Sequence, residues 1–196
     1  MPKREDIQHS VLVVSASESF NEIVKKSLPP GDLPTTDFQK SSSLARRRIL
    51  ERYYDLVLIN APLPDETGLE VVFDVAEQSQ ASVLLVVPKD VYEEVTEQVA
   101  DLGVLALAKP FTLRRMDKAI RFLLATQNKL HLLEKKIRKA EEKLEEFKVV
   151  SRAKFLLVER KHMTEDEAHR LIGKQAMDAG ISRGRAAQRI LDDLEE

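Results

Sequence analysis

The 196-residue chain is 43% hydrophobic and 33% charged, carries a net charge of -2 and contains no cysteine. This is the composition of a globular chain with room for one domain or two small ones, and it excludes disulfides, thiol nucleophiles and cysteine-based metal sites. No apolar run approaches the roughly 20 residues of a membrane span, and the opening MPKREDIQHS lacks the apolar centre of a signal peptide, so a cytoplasmic location is expected. The near-neutral total hides an asymmetry: residues 1–112 hold 11 Lys and Arg against 18 Asp and Glu, whereas residues 113–196 hold 20 against 15. A basic second half suits a polyanionic partner.

All eight prolines lie at or before Pro110. Proline punctuates loops and is costly inside helices, so a mixed α/β half precedes an all-helical half. The first half contains five β-like runs: SVLVV from Ser10, LPTTDF from Leu33, DLVLIN from Asp55, SVLLVV from Ser82 and VLALA from Val104. Helical patterns separate them, starting at Glu18, Ser42, Gly68 and Val91. Runs one, three and four are continuously apolar, as strands covered on both faces must be. The alternation predicts a doubly wound parallel five-stranded sheet. The third run ends on an amide, Asn60, where an open α/β sheet usually places its chemistry.

A helix is predicted from Thr112, with a seven-residue apolar repeat. Leu123, Leu130, Ile137 and Leu144 take one seam position; Thr126, Leu133, Ala140 and Phe147 take the other. About four heptads with charges elsewhere predict a coiled coil, and hence a homodimer, rather than an amphipathic helix lying on its own domain. Beyond Phe147 the pattern breaks into shorter pieces. Thr164 with Glu167 forms a capping box, Gly180 suits a helix stop and Ser182 suits the next cap. These predict a C-terminal three-helix bundle with Ala153, Leu157, Ala168, Leu171, Ala176 and Ile190 in its core.

The first half resembles the receiver domain of two-component response regulators, which implies a flavodoxin-like fold. Pro64 and Gly68 keep the family's loop spacing, and Lys109-Pro110-Phe111 keeps its Lys-Pro strand end. The reactive positions differ. Ser15 and Ala16 replace the paired acids, Asn60 replaces the phosphoacceptor Asp and Val87 replaces the hydroxyl residue; only Lys109 remains. Phosphoryl transfer needs an anionic nucleophile and Mg²⁺, and Mg²⁺ needs hard anionic ligands. The residues at these positions offer no carboxylate, so the resemblance implies a pseudo-receiver in which Asn60 hydrogen-bonds with Lys109. Glu18 and Asp65 belong to the same end of the sheet, but neither stands at a ligand position of the family.

The second half resembles the ANTAR domain, a three-helix RNA-binding module of transcription antiterminators. The resemblance rests on Ala153-Lys154, Leu156-Leu157, Glu159-Arg160, Thr164, Glu167-Ala168, Arg170 and Ala176-Met177. It implies binding to hairpin loops of nascent transcripts, with Lys154, Arg160, Arg170, Lys174, Gln175 and Arg183 as candidate contacts. His162 and His169 have no acidic or thiol partners in ligand spacing, and no metal or other cofactor is expected.

The expected organisation is a receiver-like domain over residues 1–120, a coiled-coil linker over 112–147 and an RNA-binding domain over 148–196. The expected function is a dimeric antitermination regulator, not an enzyme and not a membrane protein, controlled without phosphorylation by a protein partner on the pseudo-receiver. A DNA-binding response regulator and a protein-interaction adaptor with a vestigial RNA face are the rivals.

Overall fold

The computed structural model describes residues 8–29 and 35–195. The chain divides into two compact units, Met1–His131 and Leu132–Glu196. In the first, five parallel strands run in the order β2-β1-β3-β4-β5. They are β1 (Val11–Val14), β2 (Thr36–Gln39), β3 (Leu56–Asn60), β4 (Ser82–Pro88) and β5 (Leu105–Lys109). Helices α1 (Glu18–Ser27), α2 (Ser42–Glu51), α3 (Leu69–Gln78) and α4 (Tyr92–Val99) connect them, as the alternation predicts. Leu33 and Pro34 of the second predicted run lie outside the described residues.

The central strands are apolar on both sides because both faces of the sheet are covered. Val11, Val13, Leu56, Leu58, Leu84 and Val86 pack with Phe20 and Val24 of α1. Leu12, Val14, Val57, Ile59, Val83 and Leu85 pack with Ala45 of α2 and Val71, Val72 and Val75 of α3. The strand order reverses beside β1, so the loops after β1 and β3 open the crevice where such sheets place their sites.

Helix α5 runs unbroken from Leu113 to Lys161. Its first turns bury Met116, Ile120, Leu123 and Leu124 against the sheet. This corrects one seam assignment: Leu123 is a core residue of the first unit, 4% exposed, and is not free to meet another chain. Polar contacts at the amino ends of the strands continue the attachment. Gln127 donates to the Gln80 carbonyl at 3.1 Å and accepts from Ser82 Oγ at 3.1 Å. Asn128 Oδ1 lies 3.0 Å from His9 Nε2, and Asp55 accepts from the Ser10 amide at 2.7 Å. Buried polar groups need such partners. Residues 129–145 of the helix are all exposed.

The second unit corrects the expected break after Phe147. The first helix of the bundle is the end of α5, and only α6 (Glu165–Ala179) and α7 (Arg183–Glu195) are separate. The predicted punctuation is present. Thr164 and Glu167 make the reciprocal capping box, and Gly180 stops α6 at φ 62°. Ser182 Oγ accepts from the Arg185 amide at 3.3 Å. Ala153, Ala168, Ala176, Ala186 and Ala187 are buried with Leu157, Ile172, Ile190 and Leu191. Small side chains at the crossing let helices approach closely. Ile172 is the buried residue where Leu171 was expected; Leu171 packs at the edge of the cluster.

One contact fixes the loop after β3. Asp65 accepts hydrogen bonds from the Ser42 amide (3.0 Å), Ser42 Oγ (2.7 Å), the Ser43 amide (3.2 Å) and Ser43 Oγ (3.2 Å). A carboxylate at a helix N-terminus satisfies orphan amides and meets the positive end of the dipole. These bonds, those from Ser42 first, hold the Asp65 pKa far below the usual carboxylate range. A group with a depressed folded-state pKa stabilises the fold above its unfolded pKa and loses that effect as pH falls through the folded value. Asp65→Ala is therefore expected to cost about 0.5–1 kcal/mol near neutral pH, given its exposed setting. Urea melts from pH 7 downward should show the gap between variant and wild type constant at first, then closing below about pH 4. A gap that does not change with pH would contradict this role.

Candidate functional site

The carboxyl ends of β1, β3 and β5 bring together Ser15, Asn60 and Lys109, with Val87 on β4. Asn60 is 8% exposed, and its Nδ2 donates to Ser15 Oγ at 2.9 Å. Ser15 Oγ also accepts from the Ser17 amide at 3.1 Å, and Ser17 in turn caps α1 through the Phe20 amide at 3.3 Å. Val87 is buried and apolar, whereas Ala16 is exposed. An amide and a hydroxyl thus occupy one another at the centre of the crevice. Neither carries charge, and neither is a phosphoryl nucleophile of any strength.

The expected bond from Lys109 to Asn60 is absent and is corrected. Lys109 Nζ donates to the Ala61 carbonyl at 2.6 Å, bracing the start of the loop. Burial lowers its pKa below the ordinary lysine value. Asn60 Oδ1 is buried with no protein partner. Glu18 lies in the exposed first turn of α1, and Asp65 is committed to the cap of α2. Among the described residues no three His, Cys, Asp or Glu side chains cluster so as to hold a metal ion.

In the second unit the six candidate contacts separate into two kinds. Lys154 is partly buried, and its Nζ meets Glu165 Oε1 at 2.6 Å, tying α5 to the first turn of α6. That ammonium lowers the Glu165 pKa. Arg160 donates to the Leu194 carbonyl, tying α5 to α7. These two are struts of the bundle. Arg170, Lys174, Gln175 and Arg183 are exposed. Arg170 and Lys174 stand one turn apart on α6, and Arg170 makes a 3.3 Å contact to its own helix through the Asp166 carbonyl. Gln175 lines a shallow pocket of about 310 Å³ between α6 and α7, with Asp178, Ala179, Ile181, Ala186 and Arg189. The arrangement offers phosphates a basic edge on α6 and offers a polar group the pocket beside it. Glu165 carries no local signal in the sequence, because its tie to Lys154 is made only through the fold.

Residues 138–191 match the model of the ANTAR domain. Over 141 residues the chain is 29% identical to the transcriptional regulatory protein PdtaR of Mycobacterium tuberculosis, covering 71% of this chain and 68% of that protein. The fold is similar to that of the signal receiver domain of an HD domain-containing protein from Pseudomonas fluorescens (20% identity, TM-score 0.55), covering 67% of this chain and 98% of the other. It is likewise similar to a two-component response regulator from Clostridium difficile (16% identity, TM-score 0.53), covering 62% and 99%. At such identities the likeness concerns the fold alone. The chain joins a domain of the receiver fold to an ANTAR domain whose match begins inside α5.

Proposed function

We propose that this chain is a homodimeric transcription antitermination regulator that binds hairpin loops in nascent RNA, and that it is controlled without phosphorylation by a protein partner on its receiver-like domain. The matched ANTAR domain carries the RNA part of this reading, together with the exposed Arg170 and Lys174 on α6. The name of the PdtaR relative agrees with a role in transcriptional regulation. Domains of these two kinds are regulatory modules, which favours a regulator over an enzyme. Among the described residues no helix is long and apolar enough to cross a membrane.

The Asn60–Ser15 hydrogen bond supports control without phosphate, since it joins two uncharged groups where transfer would need a carboxylate. The exposed apolar side chains Leu130, Leu133, Ile137, Leu144 and Phe147, with Ala140, support a dimer through the middle of α5. A helix with such a stripe loses hydrophobic stabilisation unless a partner covers it. By analogy with its family, a dimer presents two RNA modules to two adjacent hairpins.

The RNA reading is tested by fluorescence titration against a two-hairpin RNA and a loop-scrambled control. Arg170→Ala and Lys174→Ala are each expected to weaken binding, and each lost phosphate contact lowers the salt slope by about one. Lys154→Gln is expected to lower the melting temperature of the bundle as well, because it removes the tie to Glu165. Equal wild-type affinity for both RNAs would instead favour the adaptor reading.

Control without phosphate is tested by mass spectrometry after incubation with acetyl phosphate and Mg²⁺. No phosphate is expected on the wild type. None is expected on Asn60→Asp either, since Ser15 and Ala16 supply no carboxylate. A phosphoryl group on the crevice would overturn the pseudo-receiver reading.

A further inference from the structure

Within the second unit, the apolar face of α5 does not stop at Phe147. Phe155 is 65% exposed and Val158 39%, values like those of Leu144 (55%) and Phe147 (69%) on the same helix. Helical geometry puts them on one side. At about 100° per residue, with Ala153 as zero, Leu144, Ser151, Phe155 and Val158 lie at about 180°, 160°, 200° and 140°. Ala153 and Leu157 face the opposite way, into the bundle core. Glu146 is also on the bundle side, where it accepts from the Gly184 amide of α7 at 3.0 Å. The back of the bundle's first helix therefore stays open, because α6 and α7 pack on its other side.

Spacing and charge both identify the occupant as a second copy of this chain. From Leu133 the stripe steps through Ile137, Ala140, Leu144 and Phe147 by fours and threes, then through Ser151, Phe155 and Val158 by four, four and three. Ser151 and Val158 thus stay in heptad register with Ile137 and Leu144, and Phe155 stands one place beyond the other seam position, which Lys154 holds. Beside the seam, Lys129 and Lys136 hold one flank, with Glu134 and Glu141 on the other, all exposed. In a parallel pair, each such lysine faces the glutamate five residues further along the second copy. An antiparallel pair would set lysine against lysine and glutamate against glutamate. Of the three lysine positions on that flank, Lys143 is the one mismatch, since it faces Lys148.

We propose that the two copies pair in parallel along the whole stripe to Val158, so that the two ANTAR domains are joined back to back through Ser151, Phe155 and Val158. This rests on the dimer reading above and extends it. The pairing leaves Arg170 and Lys174 of α6 outside the contact, because α6 packs on the opposite side of α5.

The chain has no cysteine, so single cysteines report proximity cleanly, a disulfide requiring Cα atoms within about 7 Å. The experiment oxidises the full-length variants Ala140→Cys, Ser151→Cys and Glu142→Cys and follows covalent dimer on non-reducing gels. Ala140 lies on the proposed coiled-coil seam, Ser151 on its extension and Glu142 on the far side of the helix. Ala140→Cys and Ser151→Cys should each cross-link at least ten-fold faster than Glu142→Cys. Adding Phe155→Lys should abolish the Ser151→Cys product and leave the Ala140→Cys product, since Phe155 is exposed in the single chain and its loss does not touch the bundle core. If Ala140→Cys cross-links and Ser151→Cys matches the control, the extension is wrong while the dimer stands. If neither cross-links and sedimentation gives a monomer, the dimer reading falls and takes the extension with it. Cross-linking only in an equimolar mixture of the two variants would overturn the parallel arrangement.

Discussion

Helix α5 has to bury side chains in two different cores. Met116, Ile120, Leu123 and Leu124 belong to the core of the first unit, and Ala153 and Leu157 belong to the core of the second. Between them lies a stretch in which residues 129–145 are all exposed, yet which keeps Leu130, Leu133, Ile137 and Leu144. Burial of a leucine or isoleucine is worth about 1.5–3 kcal/mol, and an uncovered row of them leaves that unrealised. Two ends of the helix are explained by packing within the chain. The middle is covered only in the proposed pairing with a second copy.

The receiver-like unit shows which features of a site belong to packing and which to chemistry. The sheet order, the crevice beside β1 and the Lys109 contact form without any carboxylate at the centre. Lys109 braces the Ala61 carbonyl, a backbone role that needs neither a phosphoryl group nor a metal. Asn60 is a neutral donor to Ser15, and burial of a neutral amide costs far less than burial of an unpaired carboxylate. Asp65, by contrast, keeps its charge because four donors at the start of α2 surround it. The carboxylate of this loop therefore serves the scaffold, where it holds an element in place.

Much of this was legible in the residue order. Continuous apolar runs marked the strands of the doubly wound sheet, and Thr164, Glu167, Gly180 and Ser182 marked the ends of the bundle helices, because strand burial and helix capping are local. Several of the misses involve partners brought together only by the fold. Leu123 obeys the heptad spacing, but the sheet claims it first. Lys154 and Arg160 read as free cations until Glu165 and the Leu194 carbonyl are brought to them. Leu171 and Ile172 are adjacent apolar residues, and periodicity cannot choose between them when the core-facing arc is broad. The helix was expected to break beyond Phe147 because the heptad rhythm falters there. The backbone continues as one helix, and Ala153 and Leu157 on one side of it pack into the bundle core.

In the function proposed above, this chain acts on nascent RNA with its receiver-like domain unphosphorylated. The direct measurement is in vitro transcription through a terminator placed behind a two-hairpin leader, with the full-length protein titrated in and no phosphodonor present. The expectation is that read-through rises with protein concentration and is unchanged by acetyl phosphate, while a template with scrambled hairpin loops gives no response. Read-through that stays at the basal level, or that rises only after a phosphodonor is added, would contradict it.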